Sequence, residues 1–335
     1  MANIFTYESP SNIALIKYWG KHGNQLPNNP SISFTLSNSK SITSIEYKKA
    51  TANIEFYFED KRNLAFEERI TKFINNNKTI LPFVDDYSLK ISSKNTFPHS
   101  AGIASSASAF SALAACLISI KKELGYQIEN FENEVSNLAR LGSGSASRSV
   151  YEGVVLWGKT ELLNNSSNEY AIPINNQVHN IFHNYHDDII IVEDSTKSVS
   201  SSVGHSLMDT NPYRDEKYKQ SNINLKNLLD ALKNGDLEQF IKITENEALS
   251  LHSMMMLSEP SFILLKPKTL EIINMVRNFR NTTKIPICFT LDAGPNVHLL
   301  YPNNYYSEVQ DFISKIKNVS VITDFLGKRL KNINI

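Results

Sequence analysis

From Asn95 to Ile120 the chain carries no Asp, Glu, Lys or Arg. A stretch this long must cross a membrane, be buried from several sides, or serve as a linker, and each option makes a different protein. The helical rise of about 1.5 Å per residue would span a bilayer. Six serines between Ser100 and Ser119, with small alanines and Pro98, leave too little apolar drive for that, so a membrane span is the weakest reading. A linker fails on periodicity. Phe110, Leu113, Ala114, Leu117 and Ile118 fall at offsets 0, 3, 4, 7 and 8, the stripe of an amphipathic helix facing a core. Lys121 and Lys122 suit its C-terminus, and Gly125 can stop it. HSAGIASSAS therefore occupies the helix entry, where the first backbone N–H groups lack intrahelical partners. Gly102 permits close backbone approach, and Ser105, Ser106 and Ser108 add hydroxyls around the positive helix end, a phosphate cradle without a lysine. A Ser-capped, Ala-rich helix with no ligand explains the segment equally well.

The 335 residues exceed what one core usually serves, which points to two domains of roughly 150 residues. A soft boundary falls near residue 178, giving domains of 1–178 and 179–335. Lys+Arg and Asp+Glu are balanced at 34 each, so no global field gathers nucleic acid or an anionic membrane, and any anion site must be local. Cys116 and Cys288 both sit in apolar segments, as reduced packing residues of a reducing compartment do. MANIFTYESP has no basic region followed by an apolar one, so the expected location is the cytoplasm.

SISFTLS (31–37) and NIEFYF (53–58) alternate with period two and predict strands with one buried face. FENEVSNLARLG predicts a second helix, VVLWG (154–158) a buried strand, and residues 163–177 a polar loop. DIIIVED (188–194) reads as a strand, followed by two helices in 214–257, one over 267–280, and two strands around a turn in PICFTLDAGPNVHLLY. A helix, a strand and a last helical piece complete a mixed α+β pattern.

Four further segments concentrate chemistry. LGSGSASRS (141–149) alternates glycine with hydroxyls and ends at Arg148, whose planar fork suits carboxylate or phosphate, although a surface turn is the plainer reading of that segment alone. SNIALIKYWGKHGN clusters Lys17, Tyr18, Trp19 and Lys21 behind an apolar run, as a polyanion site or as an aromatic anchor with solvated lysines. KSVSSSVGHS is a hydroxyl-rich loop with Lys197 as its cation. FTLDAGPNVHLL puts Asp292 at the tip between two strands, to act as a base, to orient a hydroxyl, or merely to cap its own turn. No spaced Cys/His set suggests a metal site, so a metal would arrive with a nucleotide.

Taken in order, NIALIKYWGK, FPHSAGIASSAS, ARLGSGSASRS, KSVSSSVGHS, LHSMMMLSEPSF and FTLDAGPNVHL resemble the mevalonate diphosphate decarboxylase family of the GHMP kinase superfamily, across residues 12–301. The resemblance implies an α+β, two-domain GHMP kinase fold: an N-terminal ribosomal protein S5 domain 2-like unit and a C-terminal ferredoxin-like α/β sandwich. It implies ATP and Mg²⁺, and decarboxylation of mevalonate 5-diphosphate to isopentenyl diphosphate once the tertiary hydroxyl is phosphorylated. Members are often dimeric, which makes a homodimer the expected assembly. Carried over, Asp292 would orient or deprotonate the 3-hydroxyl with Lys17 stabilising developing charge, and Arg148, helped by Asn12, would hold the carboxylate. Tyr18, Lys21, Ser143, Ser145 and Ser201 would grip the diphosphate, and Gly102, Ser105, Ser106 and Ser108 the ATP phosphates.

The chain departs from the family pattern at Ser202, where some bacterial members have arginine, at Ala109, often glycine, and at His205, commonly methionine. The last two are expected to lie outside the chemistry. Three alternatives stay open on these residues: decarboxylation of mevalonate 5-phosphate, a kinase that stops after phosphorylation, and a non-catalytic anion-binding module.

Overall fold

A computed structural model of the chain describes residues 3–98, 103–192 and 201–334, with the side chains of Ser201 and Ser202 left out. Two sheets organise it. The larger runs in the order Lys331–Asn332, Asn3–Ala14, Ser31–Lys49, Tyr87–Asn95, Asn53–Phe58 and Lys61–Arg62; Val154–Trp157 joins the first part of Ser31–Lys49 and carries Ala171–Pro173 on its other edge. The second is a four-stranded antiparallel sheet, Cys288–Thr290, Val297–Pro302, Tyr185–Ile191 and Ser320–Phe325.

The uncharged stretch becomes the helix Ser105–Glu123. The expected stripe is only part of its buried surface: every residue from Ala107 to Ile120 is buried except Ala109. The helix packs in one core with Ile45 and Ile91 of the large sheet, Val135 and Leu138 of the helix Phe131–Gly142, and Phe73 of the helix Leu64–Asn76. A helix covered on all sides has no need of a polar face, which accounts for the missing charges. No described helix is long and apolar enough to cross a membrane. Leu124 caps the helix end and Gly125 follows at φ +88°, a left-handed turn natural to glycine.

SISFTLS was expected to bury one face, yet Ser31 through Leu36 are buried on both. Ile32, Phe34 and Leu36 point into a second core, with Phe182, Tyr185 and Ile189 of the small sheet's side and Leu225, Leu228 and Phe240 of the helices Arg214–Asn234 and Leu237–Met256. Their alternating partners Ser31 and Thr35 turn to polar work: the Thr35 hydroxyl donates to the Tyr151 carbonyl, and Ser31 accepts from Arg148. A third core lies under the other face of the small sheet, against the helices Pro267–Thr283 and Tyr306–Ile313.

The last helical piece expected at the C-terminus is a correction. Residues after Phe325 run as irregular chain into the short strand Lys331–Asn332, which pairs with Tyr7 and Glu8. Gly327 lies so close to the large sheet that a Cβ there would overlap the Leu36 carbonyl, and its N–H donates to Thr35 O at 2.6 Å. Tertiary backbone pairing replaces the intrahelical kind. Residues 163–177 are likewise not wholly loop, since Ala171–Pro173 adds a strand.

One buried carboxylate ties the sheets together. Asp324, on the edge strand of the small sheet, accepts backbone N–H groups of Ser37, Asn38, Ser39 and its neighbour Phe325 at 2.7 to 2.9 Å. Asp324→Ala strands these donors where water cannot easily reach them, and is expected to lower the unfolding free energy in urea by at least about 2 kcal/mol. Asp85→Ala, which removes an exposed ion pair with Lys78, is expected to change it by less than about 0.5 kcal/mol. Equal midpoints for the two variants would contradict the tie.

Candidate active site

Where the sheets meet, a cavity of about 240 Å³ collects residues from every motif singled out in the sequence that is described. Lys17, Tyr18, Trp19 and Lys21 enter from the segment after the strand Asn3–Ala14. Ser143, Gly144, Ser145 and Arg148 come from the end of the helix Phe131–Gly142 and the following 3₁₀ turn Gly144–Val150. Ala104 and Ser106 stand at the start of the long helix, and Asp292 at the turn of the small sheet.

Lys17 is the centre of the charge arrangement. It is buried, and its Nζ donates to Asp292 Oδ1 at 3.2 Å and to the Ala14 carbonyl. Burial pushes its pKa below the ordinary 10.5, and the Asp292 charge opposes that shift. Its backbone is held too: Lys17 N–H donates to Glu247 Oε2 at 3.0 Å, and Asn29 Nδ2 donates to Lys17 O at 3.0 Å. Glu247 is itself fully buried and paired with Lys217 at 2.9 Å. Asp292 is positioned through its main chain, whose carbonyl meets Gly294 N–H at 2.7 Å and His252 Nε2 at 3.0 Å. The carbonyl closes the turn while the carboxylate reaches across to Lys17, so Asp292 does more than cap its own bend.

Arg148 is buried, and the GSGSAS segment is a 3₁₀ turn, not an exposed loop. Its Nε and Nη2 donate to Asn12 Oδ1 at 3.2 and 3.0 Å, and Nη1 donates to Ser31 Oγ at 2.6 Å. The guanidinium lies 5.7 Å from the Tyr18 ring and 6.0 Å from that of Trp157. Burial lowers its pKa, with Tyr18 and Asp292 opposing. Among the described residues no carboxylate forms an ion pair with it. Asn12 stands behind the arginine, its amide also donating to Ser145 O and Ser149 Oγ, and does not line the cavity. Its place is to orient the guanidinium.

Tyr18 has its hydroxyl pKa raised by burial, with Arg148 opposing, and Lys21 has its own lowered by burial. Lys21 also donates to Gln25 at 2.7 Å. Ser106 and Ser143 exchange a hydrogen bond of 3.2 Å between hydroxyls, joining two of the Gly/Ser segments at the cavity wall. Ser105 opens the helix beside them without lining the cavity. Ser108 is buried, engaged with Ser41 Oγ at 2.7 Å and Ser105 O at 3.2 Å, and also lies off the wall. Gly102, Lys197 and the Ser201 side chain lie outside the described residues.

Three side chains of the site were not anticipated. His205 was expected to be remote, yet it lines the cavity between the Tyr18 and Trp19 rings. Arg69 reaches the wall from the helix Leu64–Asn76, and nothing in its local sequence marks it. Glu247 carried a readable signal: an acid on the same helical face as Phe240, Thr244 and Leu251, all buried, must have a buried partner.

Residues 9–169 match the diphosphomevalonate decarboxylase-like N-terminal domain, and residues 188–334 the mevalonate 5-diphosphate decarboxylase C-terminal domain. The chain belongs to the diphosphomevalonate decarboxylase family. It is 30% identical over 332 residues to the diphosphomevalonate decarboxylase of Ganoderma lucidum, covering 92% of this chain and 81% of that one. The crystal structure of mevalonate diphosphate decarboxylase from Staphylococcus aureus superposes with a TM-score of 0.87 at 27% identity, covering 100% of this chain and 99% of that one. A structure of MDDEF in complex with MVAPP, AMPPCP and magnesium gives 0.84 at 27% identity, with 99% of each chain covered. The two-domain α+β architecture is therefore that of the family, and the GHMP kinase fold expected from the motifs is present.

Gly144 leaves no room for a side chain at this site. A Cβ there would lie 2.7 Å from the Tyr18 hydroxyl and 2.9 Å from the Trp157 ring. Gly144→Ala should keep its far-ultraviolet dichroism but lose at least ~10-fold in turnover, because displaced rings carry Arg148 with them. Wild-type turnover would show that the ring positions do not matter.

Proposed function

We propose that this chain couples ATP hydrolysis to decarboxylation of mevalonate 5-diphosphate, yielding isopentenyl diphosphate, ADP, phosphate and carbon dioxide. The observation that carries the reading is the Lys17–Asp292 contact at 3.2 Å in a cavity that also holds Arg148. A tertiary hydroxyl placed there meets a carboxylate able to take its proton and an ammonium able to offset developing negative charge. Arg148, preset by Asn12 and Ser31, offers its fork to the substrate carboxylate. Tyr18, Lys21, Ser143 and Ser145 line the remaining wall, where the diphosphate end is gripped, with Ser201 assigned there from its motif.

The start of the Ser105–Glu123 helix fits a triphosphate. Ala104 precedes it in left-handed conformation at φ +43°, no side chain caps the first turn, and Ala107 N–H donates to the Ala104 carbonyl, which leaves the N–H groups of Ser105 and Ser106 for an anion beside the Ser106 hydroxyl. Gly102, Ser105 and Ser108 share this assignment by motif, although the Ser108 hydroxyl is committed to Ser41. Mg²⁺–ATP supplies the phosphoryl group that turns the hydroxyl into a leaving group. We place the domain boundary near residue 178, between the two family matches, and the reaction in the cytoplasm, in keeping with two free buried thiols.

Purified protein given ATP, Mg²⁺ and mevalonate 5-diphosphate should release carbon dioxide, phosphate and ADP in equal amounts; ADP without carbon dioxide would make it a kinase. Mevalonate 5-phosphate, run beside it, should be the poorer substrate. Asp292→Asn should bind ATP yet lose at least ~100-fold in kcat. Arg148→Lys keeps the charge but not the fork, and should lower kcat/KM by roughly 10-fold or more.

The charge on Lys17 gives a pH test. Burial lowers the Lys17 pKa from 10.5, so the ammonium paired with Asp292 is lost as pH rises through a value below the ordinary one. kcat/KM should therefore fall on the alkaline side with an apparent pKa below 10.5, and Lys17→Arg, if active, should move the fall upward. A wild-type profile flat to that pH would remove Lys17 from the reaction.

A further inference from the structure

His205 sits on the short helix Ser201–Ser206 with its imidazole 4.7 Å from the Tyr18 ring and 4.5 Å from that of Trp19. The Gly20 N–H donates to Nδ1 at 3.0 Å. A ring nitrogen that accepts a hydrogen bond carries a lone pair, so in the neutral ring the proton sits on Nε2. The ring is neutral, since burial and then the nearby Lys21 charge push its pKa down to about 3. Nε2 has no hydrogen-bond partner among the described residues, and it is not sealed from solvent. What remains open to it is the cavity that the ring lines. Lys17, Lys21 and Arg148 line the same space, so the acceptor that suits this donor is an anionic oxygen.

We propose that His205 is a further substrate-contact residue, its Nε2–H donating to an oxygen of the substrate's diphosphate. The proposal rests on the decarboxylase reading above. The diphosphate is favoured over the ATP phosphates because His205 is fastened to Gly20, stacked on Tyr18 and tilted against Trp19, the segment that carries Lys21, and not fastened to the helix start at Ala104. A neutral donor has an advantage beside a lysine: it adds a directed hydrogen bond without a second positive charge to repel the first. A ring that stays neutral also keeps this contact constant through the physiological pH range.

The test labels histidine with ¹⁵N and assigns the His205 signals by their loss in His205→Met. In the wild type, Nε2 should appear as the protonated nitrogen and shift when inorganic pyrophosphate is added, while a non-hydrolysable ATP analogue with Mg²⁺ leaves it in place. His205→Met should raise KM for mevalonate 5-diphosphate roughly 10-fold with kcat nearly unchanged, the scale of one hydrogen bond to a charged group. His205→Gln, which keeps a neutral donor, should recover part of the loss. An Nε2 signal unmoved by pyrophosphate, one moved only by the ATP analogue, or an unchanged KM in His205→Met would overturn the proposal. The pyrophosphate titration needs no turnover, so a protein that released no carbon dioxide would sink the decarboxylase reading and leave His205 to be decided separately.

Discussion

Everything in this structure turns on a buried ammonium that needs a counter-charge from the other half of the chain. Moving an ion the size of a lysine head out of water costs on the order of several kcal/mol, even after relaxation. Lys17 is buried on one side of the cavity, and the carboxylate that compensates it, Asp292, comes from a turn of the small sheet 275 residues later. Neither group reaches the other unless the two sheets dock. The core formed by Ile32, Phe34, Tyr185 and Phe240 and the Asp324 tie are what hold them there. The Lys17–Asp292 contact and the docking of the two sheets are thus one problem in packing.

Around that pair the site is built ahead of its ligand. Arg148 is oriented by Asn12, Ser31 and two aromatic rings, with no ion-pair partner among the described residues. A preset guanidinium in a dry setting gains most when a carboxylate arrives, because little is lost in fixing its geometry. Glu247 does the same for the main chain of Lys17, holding it through a buried network that includes Lys217 and Asn224. Groups behind the cavity wall therefore decide where Lys17 and Arg148 can sit.

Much of this was readable in advance. The helices Ser105–Glu123 and Phe131–Gly142, the strand Asn53–Phe58 and the paired strands around Asp292 follow from local periodicity and turn residues. Lys17, Tyr18, Lys21, Ser106, Ser143, Ser145, Arg148 and Asp292, chosen from separate motifs, line one cavity. The C-terminal segment was misread because its apolar and basic residues look helical, whereas its backbone is claimed by Thr35, Gly153 and Tyr7. His205 and Arg69 were missed because a side chain's neighbours across the fold leave no trace in its own stretch of chain.

The order of the motifs and their residue types settled the family, the chemistry available and the number of buried faces each element could offer. Such properties depend on neighbours a few residues apart, which the chain cannot change by folding. The motif order could group Asp292 with Lys17 and Asn12 with Arg148 only by resemblance; the tertiary structure decided the contacts themselves, that Asn12 supports Arg148 from behind the cavity wall, and that His205 stands at the site. Those outcomes depend on which surfaces bury against each other, and burial sets both the distances and the charge states of the groups brought together.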